Sequence, residues 1–295
     1  MTLEAISSPR ADATHLQAAP DNGWPSGSKS INVRWATCEQ DVREAQRLRY
    51  LVFSEEMGAR LTPPVGTPSG LDADSFDPFC DHLMVSSAVE NWPGAGKLIG
   101  TYRVLPPQAA RRAGGLYIDT EFDLTPLSGL RQHALELGRS CVHRDWRSGA
   151  VIMALWSALL QYMLARQLDT MIGCASIGLG DGGQAAAGLW NRLQQTHLVA
   201  PELRVQPRVG WSPSLDHLSD LPHPGDAAAT APSLIKGYLR CGARVLGPPA
   251  LDAAFNTADL PMLLRLEDLA PRYLKHFLRI EQTAASSAAM GYSQA

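Results

Sequence analysis

The apolar positions change period repeatedly along the chain, and each change predicts an element. Residues 31–36, INVRWA, alternate and predict a strand. Residues 38–59 take up helical spacing, with Val42, Ala45, Leu48, Leu51 and Val52 on one face. A Pro- and Gly-rich stretch over 62–70 predicts a loop. Alternating runs over 82–90 and 97–107, separated by the turn sequence NWPGAG at 91–96, predict paired strands. A short helix is expected within 113–130, near EFDLTPL. Residues 133–143, HALELGRSCVH, predict a central strand, 149–167 a helix and 170–177 a second central strand. A single helical crossover would make those two strands parallel. A helix over 183–198, an irregular Pro-rich stretch over 199–226 and a helix over 232–242 ended by Gly242 follow. Strands at 243–250 and 260–266 and a closing helix over 266–280 complete the pattern.

This order of elements predicts one α/β domain over 31–282 on a mixed sheet. Residues 1–30 are rich in Ala, Pro, Ser, Asp and Gly, and 283–295 read alike, so both are expected to be disordered. The leader lacks the basic and apolar regions of a signal peptide. Residues 148–165, between Arg147 and Arg166, carry no charge and just reach the roughly 18-residue lower limit of a membrane span. Ser148, Gly149, Ser157 and Gln161 lie within that run, which favours a buried core helix.

The 295 residues are 45% hydrophobic and 19% charged, enough for a sizeable core. The formal net charge of −3 argues against a nucleic-acid partner for the chain as a whole. The five cysteines are widely spaced with no CxxC, which argues against a disulfide framework or structural zinc and predicts a reducing, cytoplasmic setting.

Four pieces carry candidate chemistry. In VHRDWRSGA, Arg144 and Arg147 precede the small residues Ser148, Gly149 and Ala150 at the start of a helix. Free N–H groups and a partial positive charge there suit a phosphate. A basic cap on an ordinary crossover helix is the other reading. Glu136 and Arg139 stand three apart and would face opposite sides of a regular strand. A bulge at Gly138 would bring them to one side, where the carboxylate becomes a candidate base. An ion pair inside the sheet is the alternative. Cys141 and His143 share a face and fit either a nucleophile–base pair or inert packing. Asp72, Asp74, Asp77 and Asp81 crowd one segment, as a cation site or a solvated loop.

In order, RYLVFSEEMGA (49–59), DSFDPFCDHL, GTYRVLPP and ELGRSCVH resemble the ornithine N-acyltransferases, a GNAT-like group related to acyl-homoserine lactone synthases and N-acyl amino acid synthases. The later GCASIGLGD, LIKGYLRCGARVLG and FNTADLPMLLRLEDL resemble the same branch. The resemblance implies a GNAT-like mixed sheet with splayed parallel strands flanked by helices. It implies transfer of a 3-hydroxyacyl chain from acyl carrier protein to the α-amine of L-ornithine, giving lyso-ornithine lipid. No permanently bound cofactor is implied; the donor arm is the 4′-phosphopantetheine of the carrier. Glu136 and Arg139 then match the shared E-x-x-R as catalytic residues, with Glu136 the base. Arg49, Phe53, Asp74, Asp77 and Arg103 match substrate-binding motifs, with Arg103 or Arg139 on the acceptor carboxylate and Asp74 or Asp77 on its side-chain ammonium. Val142, Arg144, Arg147, Ser148, Gly149 and Ala150 would hold the phosphopantetheine, with a strand N–H near Val142 polarising the thioester carbonyl. Ala59 stands where the lactone synthases carry Trp, which points away from their substrate. An acidic carrier implies a basic rim, for which Arg111, Arg112, Arg144, Arg147 and Arg166 are candidates. Peripheral contact with the inner membrane, and a second O-acyltransferase acting next, are implied by the lipid product. Another acceptor (lysine, glycine or glutamine), or a non-catalytic carrier-binding module, are the alternatives.

Overall fold

A computed structural model describes residues 16–17, 31–87, 96–147, 149–212, 232–275 and 277. Most of the expected leader, the turn at 91–96 except Gly96, Ser148 and the expected tail lie outside the described residues. The strands are β1 (Leu16–Gln17), β2 (Ile31–Trp35), β3 (Asp81–Ser87), β4 (Leu98–Leu105), β5 (Phe122–Asp123), β6 (Ala134–Val142), β7 (Thr170–Gly178), β8 (Gln206–Pro207), β9 (Arg244–Val245), β10 (Ala250–Asp252) and β11 (Thr257–Arg265). The helices are α1 (Glu39–Tyr50), α2 (Pro107–Ala113), α3 (Ala150–Ala165), α4 (Gln184–Thr196) and α5 (Ser233–Cys241).

Among the described residues the main sheet has nine strands, in the order β1-β2-β3-β4-β6-β7-β11-β10, with β9 also on β11. The expected parallel pair is β6 with β7, joined by α3. Its ladder holds only at Ala134–Thr170, Leu135–Met171 and Glu136–Ile172. Beyond Glu136 each strand keeps its outer partner, β6 on β4 and β7 on β11, while the inner edges part. Gly173 sits at the fork. A Cβ there would stand 2.3 Å from the Leu137 carbonyl oxygen, so only glycine lets the strands come this close before separating.

The bulge also forms. Thr101 faces Cys141 and Arg103 faces Gly138, so β6 carries one residue more than β4 between them. Arg139, not Gly138, takes the left-handed conformation, at φ 51°. That backbone is costly at a non-glycine residue, and the side chain it carries lines the cavity and reaches Asp74.

Helix α3 is buried along most of its length, through Leu155, Leu159 and Met163 among others, and packs on β2–β4 and β6. A Cβ on Gly100 would meet Val151 at 2.4 Å, so a bare backbone on β4 lets the helix settle this close. No helix of the described residues is long and apolar enough to cross a membrane.

Three expectations are corrected. The helix from 38 to 59 is α only to Tyr50, then widens into a π-helix over Leu51–Glu56. The wider turn leaves Leu51 at 36% exposure and carries Phe53 inward, shifting the face that the 3.6 period placed. The segment 113–130 forms two short 3₁₀ turns, Tyr117–Thr120 and Thr125–Leu127, around β5. Helix α2, unseen in the periodicity, starts with Pro107 at its first turn and stops at Gly114, φ 88°.

Gly173→Ala is expected to cost about 1–3 kcal/mol in urea unfolding, as overpacking against backbone does. Gly138 has nothing within 4 Å of an added Cβ. Gly138→Ala should therefore stay within about 1 kcal/mol of the parent. Equal losses at the two positions would contradict this account of the fork.

Candidate active site

A cavity of about 700 Å³ opens where β6 and β7 part. Residues 137–142 of β6 and 174–176 of β7 line it, with Arg103, Tyr117, Glu136, Asp252 and Asp259 at its polar end. Trp146, Ile152, Met153, Trp156, Ile235, Tyr238 and Phe277 make an apolar wall suited to an alkyl chain.

The aspartate-rich segment is no solvated loop. Arg49, 0% exposed, donates from Nε to Asp72 at 2.8 Å and from Nη2 to Asp77 at 2.8 Å. Arg103 donates from Nη1 to both Asp74 oxygens at 2.7 Å and to Asp77 at 2.9 Å. Arg139 adds Nη2 to Asp74 at 3.3 Å. Burial pushes the Asp77 carboxyl up, but Arg49 and Arg103 overcome it and hold the group well below the usual carboxylate range. Asp74 and Asp77 are thus engaged by arginines, and neither lines the cavity. Of the five residues matched to substrate-binding motifs, Phe53 and Arg103 reach the cavity wall, and Phe53 stacks edge-on with Phe255 at 5.6 Å.

The bulge brings Glu136 and Arg139 to one cavity, around Tyr117. Glu136 accepts the backbone N–H of Tyr117 at Oε2 and of Ile118 at Oε1, both at 2.7 Å. Burial raises its carboxyl to about 7, with those two N–H groups pulling the other way. The guanidinium carbons of Arg139 and Arg103 lie 5.3 Å and 5.7 Å from the centre of the Tyr117 ring. Arg139 also stands 4.8 Å from the Phe255 ring, and its buried Nε makes no hydrogen bond.

At the other end, Gly149 caps α3 with φ 96° and lines the cavity beside Val142, Ile152 and Met153. Arg147 is drawn to one side. It pairs through both terminal nitrogens with Glu56, at 2.5 Å and 2.9 Å, and donates from Nε to the Val142 carbonyl at 3.0 Å. Arg144, Arg111, Arg112 and Arg166 are exposed, and Ala150 is half-buried.

Burial pushes the Cys141 thiol up to about 12 and lowers the His82 imidazole to about 4. At neutral pH no Cys141 thiolate is available, so packing accounts for Cys141, while its expected partner His143 accepts the Asp145 N–H at Nδ1, 3.4 Å away.

Three polar residues escaped the sequence pattern: Tyr117 and Asp259, which line the cavity, and Glu121, which does not line it but accepts the thiol of the lining residue Cys174. Tyr117 sits in a 3₁₀ turn with no periodic signal. Asp259 looks like one polar residue in an apolar strand; only its pairing with Ser176 across β7 and β11 places it at the fork. The only hint was the departure from strict apolarity in TADLPMLLR.

An Acetyltransferase (GNAT) domain model matches residues 48–157. The L-ornithine N(alpha)-acyltransferase of Rhodobacter capsulatus is 36% identical over 253 residues, covering 85% of this chain and 95% of that protein. The enzyme of the same name from Rhizobium meliloti is 34% identical over 265 residues, covering 88% of each. Among solved structures, FeeM, an N-acyl amino acid synthase from uncultured soil microbes, aligns with a TM-score of 0.48 at 12% identity, over 83% of this chain and 94% of that one. The AHL synthase LasI aligns at 0.45 and 14% identity, over 80% and 89%.

Arg49→Met should cost about 3–5 kcal/mol in denaturant, because it strands buried carboxylates. A depressed folded-state carboxyl contributes stability above its unfolded value, near 3.8, and loses it as pH falls further. The parent's loss of stability below about pH 4 should therefore flatten in the variant. An unchanged acid limb would show that Arg49 does not hold Asp77 ionised.

Proposed function

The chain belongs to the L-ornithine N(alpha)-acyltransferase family, and on that premise we propose that it transfers a 3-hydroxyacyl chain from acyl carrier protein to the α-amine of L-ornithine, giving lyso-ornithine lipid. It is an acyltransferase with the GNAT-like mixed sheet, parallel at β6–β7. The observation that carries the finer reading is the composition of the fork. One cavity holds a carboxylate that burial pushes up to about 7, two guanidinium groups and an apolar wall.

The α-amine attacks the thioester carbonyl, forming the C–N bond. The tetrahedral centre collapses with loss of the C–S bond, and the phosphopantetheine thiolate leaves. The amine gives up one proton and the thiolate takes one. Glu136 is the carrier: burial pushes its carboxyl up to about 7, close to the roughly 8 of a free α-amine. Its two bonds to Tyr117 and Ile118 leave carboxylate lone pairs unused. The acceptor carboxylate suits Arg139, whose Nε lacks a hydrogen bond, with Arg103 beside it. The first-turn N–H groups of α3, behind Gly149, suit the phosphate of the arm, and the exposed Arg144 suits an acidic carrier. A one-chain product with a free 3-hydroxyl is a substrate for the O-acyltransferase expected next. Its amphiphilic character favours loose contact with the inner membrane.

Thiol release from 3-hydroxyacyl carrier protein should depend on added L-ornithine, and exceed that with lysine, glycine or glutamine. Mass measurement of the product identifies the amide. No release with any amine would leave a carrier-binding module as the reading.

Glu136→Gln should lower kcat by about 10²–10⁴ while the donor KM stays near the parent's. The parent's kcat/KM should rise with pH through about 7, as the carboxyl ionises. The variant should keep only the amine's own rise near about 8. Parental turnover in the variant would remove Glu136 from the base role.

A further inference from the structure

The three aspartates before β3 are met by three arginines, whereas the other carboxylates of the fork are not. Among the described residues, no ion pair joins Glu121, Asp252 or Asp259 to a cation. Glu121 follows the Tyr117 turn. Asp259 is 5% exposed on β11 and accepts the Thr257 hydroxyl at 2.6 Å. Glu121 accepts the Cys174 thiol at Oε2, 3.3 Å away, while its Oε1 is fully buried with no hydrogen-bond partner. Oxygens of Glu121 and Asp259 and the Cys174 sulfur lie within 4.8 Å of one another. Burial pushes both carboxyls up, helped by Asp259 and Asp252 at Glu121 and by Asp252 at Asp259.

Two buried polar atoms near Tyr117 therefore lack hydrogen bonds, and they have opposite demands. Arg139 Nε, 3.8 Å from the Asp72 carboxylate, has no acceptor within hydrogen-bond reach; Glu121 Oε1 has no donor. Arg139 lies over the Tyr117 ring, and Glu121, Asp252 and Cys174 surround that side chain electrostatically. The α-carboxylate of a diamino acid answers the first demand and its distal ammonium the second. An ammonium seated there would favour the ionised form of both carboxyls.

We infer that Glu121 and Asp259 seat the side-chain ammonium of the acceptor, and so select a diamino acid over its uncharged analogues. This rests on the amino-acid acceptor proposed above. It moves the ammonium seat away from Asp74 and Asp77, whose charge the arginines already meet. A divalent metal fits less well, because burial raises the Cys174 thiol far above its ordinary value and denies the site a thiolate.

The test compares kcat/KM for L-ornithine with that for L-norvaline, the same carbon chain without the terminal amine, in the parent, Glu121→Gln and Asp259→Asn. The parent should favour ornithine strongly. Each variant should lose about thirtyfold or more on ornithine relative to its change on norvaline. The ratio is internal to each preparation, so a lower folded fraction cancels, and melting temperatures check that the variants fold. Two variants that keep the parental ratio, or lose equally on both substrates, overturn the inference while the acceptor reading stands. A parent that uses lysine but not ornithine overturns the choice of acceptor; the seat is then judged on lysine against norleucine. A parent inert with every amine removes the functional reading and the seat together. Activity lost to a chelator and restored by a divalent ion overturns the ammonium seat in favour of a metal.

Discussion

Two parallel strands bonded at only three residue pairs leave their remaining inner-edge N–H and C=O groups without a ladder. Everything else in this molecule accommodates that gap. Strand β11 holds β7 in unbroken register and β4 holds β6 on either side of the bulge, so the sheet survives as two halves. Helix α3 covers one face, and its N-terminus points to the mouth of the gap. The unpaired edges then become the wall of a cavity in which a thioester and an amine can meet while polar backbone groups remain available to them.

Keeping such a gap open needs rigid supports. Gly173 sets where separation begins, and the bulge at Arg139 turns β6 so that residues three apart address one space. The buried lattice of Arg49, Arg103 and Asp72, Asp74 and Asp77 ties α1 and the segment before β3 to β4. Each arginine faces more than one carboxylate, so the charges nearly cancel and the desolvation cost is shared. Arg103 and Arg139 belong to that lattice and also reach the cavity, so the scaffold and the site share side chains.

The cavity itself is electrically uneven. Its arginines are shared with the aspartate lattice, while Glu121 and Asp259 have no ion-pair partner among the described residues and burial pushes both carboxyls up. Tyr117 stands between these regions, held by Glu136 through its backbone. A group that positions the ring also titrates near neutrality, so orientation and proton transfer depend on one residue.

The sequence alone determined the strand–helix–strand order, the parallel pairing across α3, the bulge and the largely buried character of α3. Each follows from local periodicity or from a glycine at a particular place, and neighbours along the chain suffice to specify them. The order of motifs also carried the family resemblance. Tertiary structure alone decided which charges meet. Arg49 finds Asp77 28 positions away, Arg139 finds Asp74 65 positions away, and Cys174 meets Glu121 across 53. A carboxylate reads the same in sequence whether it is neutralised or left seeking a cation. The difference is made by desolvation and distance, which exist only once the strands have parted and the helices have packed.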